Sequence, residues 1–280
     1  MCRHKTNSPT KKIWPFLIIT FALASPSYYK IVSTGTLSID NGQWISVLMW
    51  APGIAALVTC LFFKGNLKGL GWYPGNIKYL FIGYFIPVIA GFVVYSVLWL
   101  TGIGKFSSIT FVNQLSTSSF IYALLYMSTV GVFWYSGMTA LGEELGWRGF
   151  LAPQLMSIAG YTKTALISAA IWSFYHYPIL LFSDYHSTAP IWYAFIMFTI
   201  NIIAISFVAV WLRIKSASVW PSVLFHASHN LFVGHVYETL TIDTSATEYF
   251  STEFGAGLAL IYSICACYFW KNRTNLKQDN

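Results

Sequence analysis

The sequence predicts an all-α, polytopic membrane protein of about eight transmembrane helices. Three observations predict it. Of 280 residues, 56% are hydrophobic and only 9% are charged, whereas a soluble domain carries roughly 25% charged residues. Nine acids and sixteen bases cannot clothe a water-exposed surface of this size, and the mean hydropathy of +0.59 agrees. The apolar residues fall into eight runs of span length, since crossing a hydrocarbon core of roughly 30 Å takes about 20 residues of helix. Finally, the bases alternate from one inter-run segment to the next.

The runs are taken at 13–32, 43–63, 79–101, 119–141, 164–182, 189–212, 219–236 and 255–270. The first follows a basic stretch in "MCRHKTNSPTKKIWPFLIITFALA", which also fits a cleaved signal. It is read as a retained span, because "SPSYYK" follows in place of a small-x-small cleavage site. The fourth is expected to continue as helix through "LGEELGWRGFLAPQLM", ending near Pro153 or soon after. With a cytoplasmic N-terminus, fourteen of the sixteen bases fall in inside segments, from Arg3, Lys5, Lys11 and Lys12 through Arg148 and Lys163 to Lys277; only Lys30 and Lys105 fall outside. Six of the nine acids (Asp40, Asp184, Glu238, Asp243, Glu248 and Glu253) fall outside. The positive-inside rule concerns Lys and Arg, so the 14:2 split supports eight spans with both termini cytoplasmic. Residues 1–280 then form a single transmembrane domain, with residues 237–253 as a short external loop.

Composition excludes other classes. The net charge of +7 is spread thinly between apolar runs, as topology determinants are, so no nucleic-acid partner is expected. Cys2, Cys60, Cys265 and Cys267 show no ligand spacing and are read as small hydrophobes. The 52 aromatic residues are belt and packing material.

A few polar groups remain within or against the spans. They are Glu143, Glu144 and Arg148 in "LGEELGWRGF", His176 in "IWSFYHYPIL", and His226, His229 and Asn230 in "SVLFHASHNLFVGH", with Asn201 in the sixth run. Each charged group at mid-membrane costs at least ~2.5–3.5 kcal/mol, so such residues face a bundle interior and have partners. Glu144 and Arg148 stand at i,i+4 and can pair. Glu143 is turned about 100° away and lacks that partner. His226 and Asn230 also share a face. Gly142 and Gly146 form a small-xxx-small pair that lets another helix approach closely. His229 and His186 are read as non-chemical, and His235 as lying near the external end of its span.

Taken singly, these groups also fit an interfacial ion pair and interhelical hydrogen bonds. Taken together they describe one intramembrane catalytic cavity, expected to open toward the cytoplasmic half because the fourth span ends there. Two chemistries fit. A carboxylate and an imidazole activate water as general base, with a second imidazole and an amide donating to an oxyanion. Alternatively, two histidines and a glutamate hold a zinc ion whose water is the nucleophile. Either hydrolyses an amide. There is no HExxH helix and no GxSxG elbow.

The ordered motifs, "EELGWR" as EExxxR, "WSFYH" as a variant of FxxxH and "HASHN" as HxxxN, resemble the CAAX-protease and bacteriocin-processing (Abi) family, whose eukaryotic members are Ras-converting CAAX endopeptidases. They cover about 88 residues, Glu143 to Asn230. The resemblance implies an intramembrane endopeptidase acting on a membrane-associated, prenylated or leader peptide substrate that enters from cytoplasm or membrane. It implies Glu143 as the water-activating base with His176 assisting, His226 and Asn230 at the oxyanion, and Glu144 and Arg148 orienting them. Trp172 stands where the family usually has phenylalanine and is read as a similar apolar wall. The family has been described as metalloproteases and also as using a metal-independent glutamate, so no cofactor is certain and zinc stays open. The alternative is a bacteriocin self-immunity or scaffold protein without proteolysis. A proton-coupled transporter is disfavoured because all the ionisable span residues lie in the C-terminal half.

Overall fold

The computed structural model describes residues 9–37, 42–63 and 67–276. Arg3, Lys5, Asp40, Lys64, Lys277 and Cys2 lie outside the described residues. Helices α1 (Pro9–Thr34), α2 (Gly42–Phe62) and α3 (Ile77–Thr101) follow the first three runs. Asn76 caps α3 by accepting from Lys78 N at 3.0 Å, and Gly102 ends it in the left-handed region at φ 77°. A short helix, Ile109–Gln114, lies in the next connection.

The helical run Phe120–Phe182 is 63 residues long, or about 95 Å at 1.5 Å per residue, roughly three times the hydrocarbon thickness. It is two crossings that meet at Gly160, whose backbone (φ 69°, ψ 171°) is non-helical. We call them α4 (residues 120–159) and α5 (residues 161–182). Helix α4 runs through Pro153 and ends six residues later, at the Gly160 kink. Pro153 falls just inside the regular helix that starts at Ala152, where its missing N–H does little harm. Then come α6 (Ile191–Ser216), α7 (residues 220–237) and α8 (Ala256–Lys271). Five helical stretches meet the length and apolarity needed for a crossing. The 63-residue stretch counts twice, and α7 and α8 are the shorter remaining two.

The connections show that the helices alternate in direction. At one end Asp184 accepts from Leu37 N at 2.7 Å, Lys105–Phe106 pairs antiparallel with Thr241–Ile242, and Thr188 N donates to Glu248 at 2.9 Å. At the other end Val219 N reaches Gly71 O (2.9 Å), Arg213 reaches Gly69 O (2.8 Å), and Trp270 reaches Thr162 (3.2 Å). Every second connection therefore shares an end, as eight antiparallel crossings require. Among the described residues the first end carries Asp184, Glu238, Asp243, Glu248 and Glu253 with only Lys30 and Lys105 beside them, and the other lysines and arginines belong to the second. Arg148, counted among the bases of the second end, is instead fully buried in the bundle.

Apolar side chains point outward along the rods, among them Trp14, Phe62, Phe92, Leu100, Phe174 and Leu260. Water would penalise that surface; lipid does not. Small residues govern the contact between α2 and α4. A Cβ on Gly142 would stand 2.8 Å from Met49 O, one on Gly53 2.6 Å from Gly142 O, and one on Gly146 would run into Pro52. The small-xxx-small pair thus seats α4 against α2, with Pro52 over Gly146.

Candidate active site

The carboxylate pair sits where α4 changes winding. Met138–Glu144 is regular helix, and Leu145–Leu151 is wound as a wider π-helix. Of the two other π stretches, Met127–Gly137 lies earlier in α4, and His229–Tyr237 carries His229 and Asn230 in α7. Such stretches are rare and concentrate at functional sites. Here they redirect side chains that regular winding would aim elsewhere.

Glu143, Glu144 and Arg148 are 2%, 1% and 0% exposed, so partners decide whether their charge is tolerable. Glu144 Oε1 accepts from Arg148 Nη1 at 2.9 Å and from His226 Nδ1 at 3.0 Å. Arg148 Nη2 also donates to Ser206 (3.3 Å), and the guanidinium lies 4.1 Å from the Trp172 ring centre. Glu143 does have partners: its Oε2 accepts from Trp147 Nε1 at 3.1 Å and from Trp172 Nε1 at 2.6 Å. Trp172 is thus not merely an apolar wall. Its indole N–H binds the first glutamate while its face covers the arginine, a bond that phenylalanine has no donor to make. Both Glu143 bonds fall on one oxygen, and among the described residues Oε1 accepts none.

The imidazoles are oriented by what they bond. His176 Nδ1 faces Trp172 O at 2.9 Å. A carbonyl only accepts, so the proton is on Nδ1 and Nε2 carries the lone pair in the neutral ring. His226 Nδ1 meets the Glu144 carboxylate, which assigns its proton in the same way. His229 Nδ1 meets the Tyr262 hydroxyl at 2.9 Å.

A cavity of about 30 Å³ is lined by Trp172, His176, His226, His229, Asn230 and Glu253, among others. It has room for a water or two. His176, His226 and Asn230 therefore converge on one space, and Glu143 bonds to one of its walls, Trp172. The expected opening at the basic end is not what the walls suggest. Glu253 and Tyr185, which also lines the cavity, come from connections at the acidic end, and His176 lies six residues from the acidic end of α5.

The chemical groups fit zinc poorly. Among the described residues no three or more His, Cys, Asp or Glu side chains converge closely enough to hold a metal ion. Glu144 and His226 are adjacent; Glu144 Oε1 accepts from both Arg148 and His226, and Oε2 has no partner among the described residues.

Residues 125–232 match the family model described as Type II CAAX prenyl endopeptidase Rce1-like. This segment is Rce1-like. It contains Glu143, Glu144, Arg148, His176, His226 and Asn230 and covers under half of the chain. Over 99 residues, 34% of the chain, the sequence is 27% identical to a protein named CAAX prenyl protease 2 from Methanococcus maripaludis. The chain spans 36% of that relative's length. Trp147, Trp172 and Ser206 belong to the Rce1-like segment, and sequence reasoning gave none of them a polar role. Trp147 was within reach of it, standing four residues from Glu143 as Arg148 stands from Glu144. Glu253 lies outside the segment and had no such signal.

Proposed function

We propose that this chain is an intramembrane endopeptidase of the CAAX type. It hydrolyses a peptide bond of a membrane-associated substrate, a prenylated or leader peptide, with water activated by Glu143. One observation carries the reading: two side-chain hydrogen bonds tie the three motifs together. Trp172 donates to Glu143 across 29 residues of sequence, and His226 meets Glu144 across 82.

The chemistry follows from the bonds already made. The two indoles fix Glu143 Oε2, so Oε1 is the oxygen left to take a proton from water. His176 offers a neutral Nε2 lone pair, which suits holding that water. Asn230 donates from its amide without a change of charge, as an oxyanion partner should. His226 is conditional: with its first proton on Nδ1, its Nε2 donates to an oxyanion only as the imidazolium. Glu144 against Nδ1 orients the ring, the role a carboxylate has behind a catalytic histidine. Both termini are cytoplasmic in this reading, and the protein resides in the cell membrane.

The test is cleavage of a peptide library by the purified chain in lipid nanodiscs, wild type beside Glu143→Gln. Glutamine keeps an oxygen for the two indoles and loses the base. Loss of a positioned base costs typically ~10²–10⁴-fold in rate, with the thermal unfolding midpoint nearly unchanged. A Glu143→Gln protein that keeps wild-type turnover removes Glu143 from the mechanism. A wild type that cleaves no peptide leaves the scaffold or immunity reading in its place.

A further inference from the structure

Glu253 is the only acid outside α4 that reaches the site, among the described residues. It belongs to a connection that sequence reasoning assigned to the outside of the membrane. The segment folds inward from the acidic end before α8 begins. Its descent is fixed at each step. Ile103 O accepts from both Thr244 and Thr247, Tyr193 Oη donates to Tyr249 O at 2.6 Å, and Thr252 N donates to Tyr95 Oη at 3.3 Å. Thr252 is held at φ 56°, a left-handed backbone rarely adopted by a β-branched residue. Asn201 on α6 donates from Nδ2 to Glu253 O at 2.7 Å, and Phe254 stacks on Phe198 with ring centres 5.7 Å apart. A segment tied to α3, α6 and the neighbouring loops in this way is a fixed wall of the cavity and not a flap.

The Glu253 carboxyl shares the cavity with His176, His226, His229 and Asn230, and Tyr185 Oη donates to its Oε1 at 3.2 Å. Among the described residues no lysine or arginine lines that space. We propose that Glu253 is the proton donor to the leaving amine, on the wall of the cavity away from Glu143. This deepens the endopeptidase reading above and rests on it. Burial, which outweighs its hydrogen bonds and the nearby His226, raises the Glu253 carboxyl from its ordinary value, the direction a proton donor needs. Two carboxyls in unlike surroundings, one an acceptor of two N–H bonds and one desolvated, are how a single site runs base and acid chemistry together.

The step balances. The water oxygen bonds to the carbonyl carbon as one water proton passes to Glu143. The oxyanion reforms the carbonyl as the C–N bond breaks, and the Glu253 proton passes to the departing nitrogen. The products are a carboxylic acid and an amine. Transfer of the proton from Glu143 to Glu253 through water restores the start, with no change of oxidation state.

Leaving-group chemistry tests the assignment. An amine must be protonated to leave, whereas a thiol of pKa near 8.5 departs as thiolate without help. The probes are a library-selected peptide and its analogue with a thioester at the scissile bond, measured on the full chain in nanodiscs. Glu253→Gln should lower kcat on the peptide by about 10²-fold or more, lower kcat on the thioester less than about tenfold, and leave KM for both little changed. The ratio of the two rates does not depend on how much of the variant is folded, so partial loss of structure cannot imitate the result. Glu253→Asp, which keeps the acid, should return the ratio toward wild type. Equal losses on both probes, no loss on either, or a faster Glu253→Gln (an obstructing plug removed) overturns the proton-donor role and leaves the endopeptidase reading standing. A wild type that cleaves neither probe overturns both.

Discussion

A phenylalanine at position 172 would keep an aromatic face over Arg148 and delete the 2.6 Å bond to Glu143. Hydrogen bonds to charged groups are worth about 1.5–3 kcal/mol, so Trp172→Phe should lower stability by that order. Turnover should fall too, although the indole carries no proton in the reaction, because Glu143 would keep only Trp147. Thermal unfolding and kcat measured on the same preparation check both effects. Arg148→Ala should be more severe. It leaves Glu144 buried with His226 as its remaining partner, and breaking a buried pair from one side costs about 3–5 kcal/mol. Low abundance in the membrane is the expected sign. The double change Glu144→Gln with Arg148→Gln should recover part of the loss. At this scale the sequence was legible where the partners share a helix turn, as Glu144 and Arg148 do. It was not legible where the partner comes from another helix, because spacing says nothing of what faces a side chain across a bundle. The bonds of Trp172 to Glu143 and of His226 to Glu144 are of that second kind.

The helices show the same division. Span positions could be read from apolar runs, because a bilayer makes length and hydropathy compulsory. The π stretches could not, because their sequences differ in no obvious way from regular helix. The approach of α2 to α4 was legible in Gly142 and Gly146, and its partner, Pro52, was not. Gly146→Ala tests that contact. The new Cβ would collide with Pro52 and stand 2.6 Å from its carbonyl carbon, with backbone rigid on both sides. Overpacking of this kind costs about 1–3 kcal/mol or more, and the displaced helix carries both glutamates, so activity per folded molecule should drop as well. Gly234→Ala is the control, since nothing lies within 4 Å of the added atom. It should be neutral or slightly stabilising, as alanine favours helix over glycine by about 1 kcal/mol. If the two substitutions behave alike in unfolding assays, close packing at Gly146 is not what seats α4.

For the molecule as a whole, the alternating connections make a prediction about sides. With the native cysteines replaced, single cysteines at Ser245 and Thr274 should react with an impermeant reagent from opposite faces of a sealed vesicle, Thr274 from the cytoplasmic face. Labelling of both from one face would break the eight-crossing arrangement. Helix α8 adds a further consequence. Its 16 residues reach about 24 Å, short of the roughly 30 Å hydrocarbon core. A short crossing is accommodated by thinning the bilayer around it. Its N-terminal end follows directly on the segment that carries Glu253, so the dimple forms beside the reaction site. A hydrolase buried in oil must import one of its two reactants, and a locally shallow membrane shortens the distance that water must travel. Turnover should therefore fall as the acyl chains of the reconstituting lipid lengthen at fixed headgroup, while the affinity for a short peptide stays level. The bilayer's thickness would then set the rate much as a reagent concentration does.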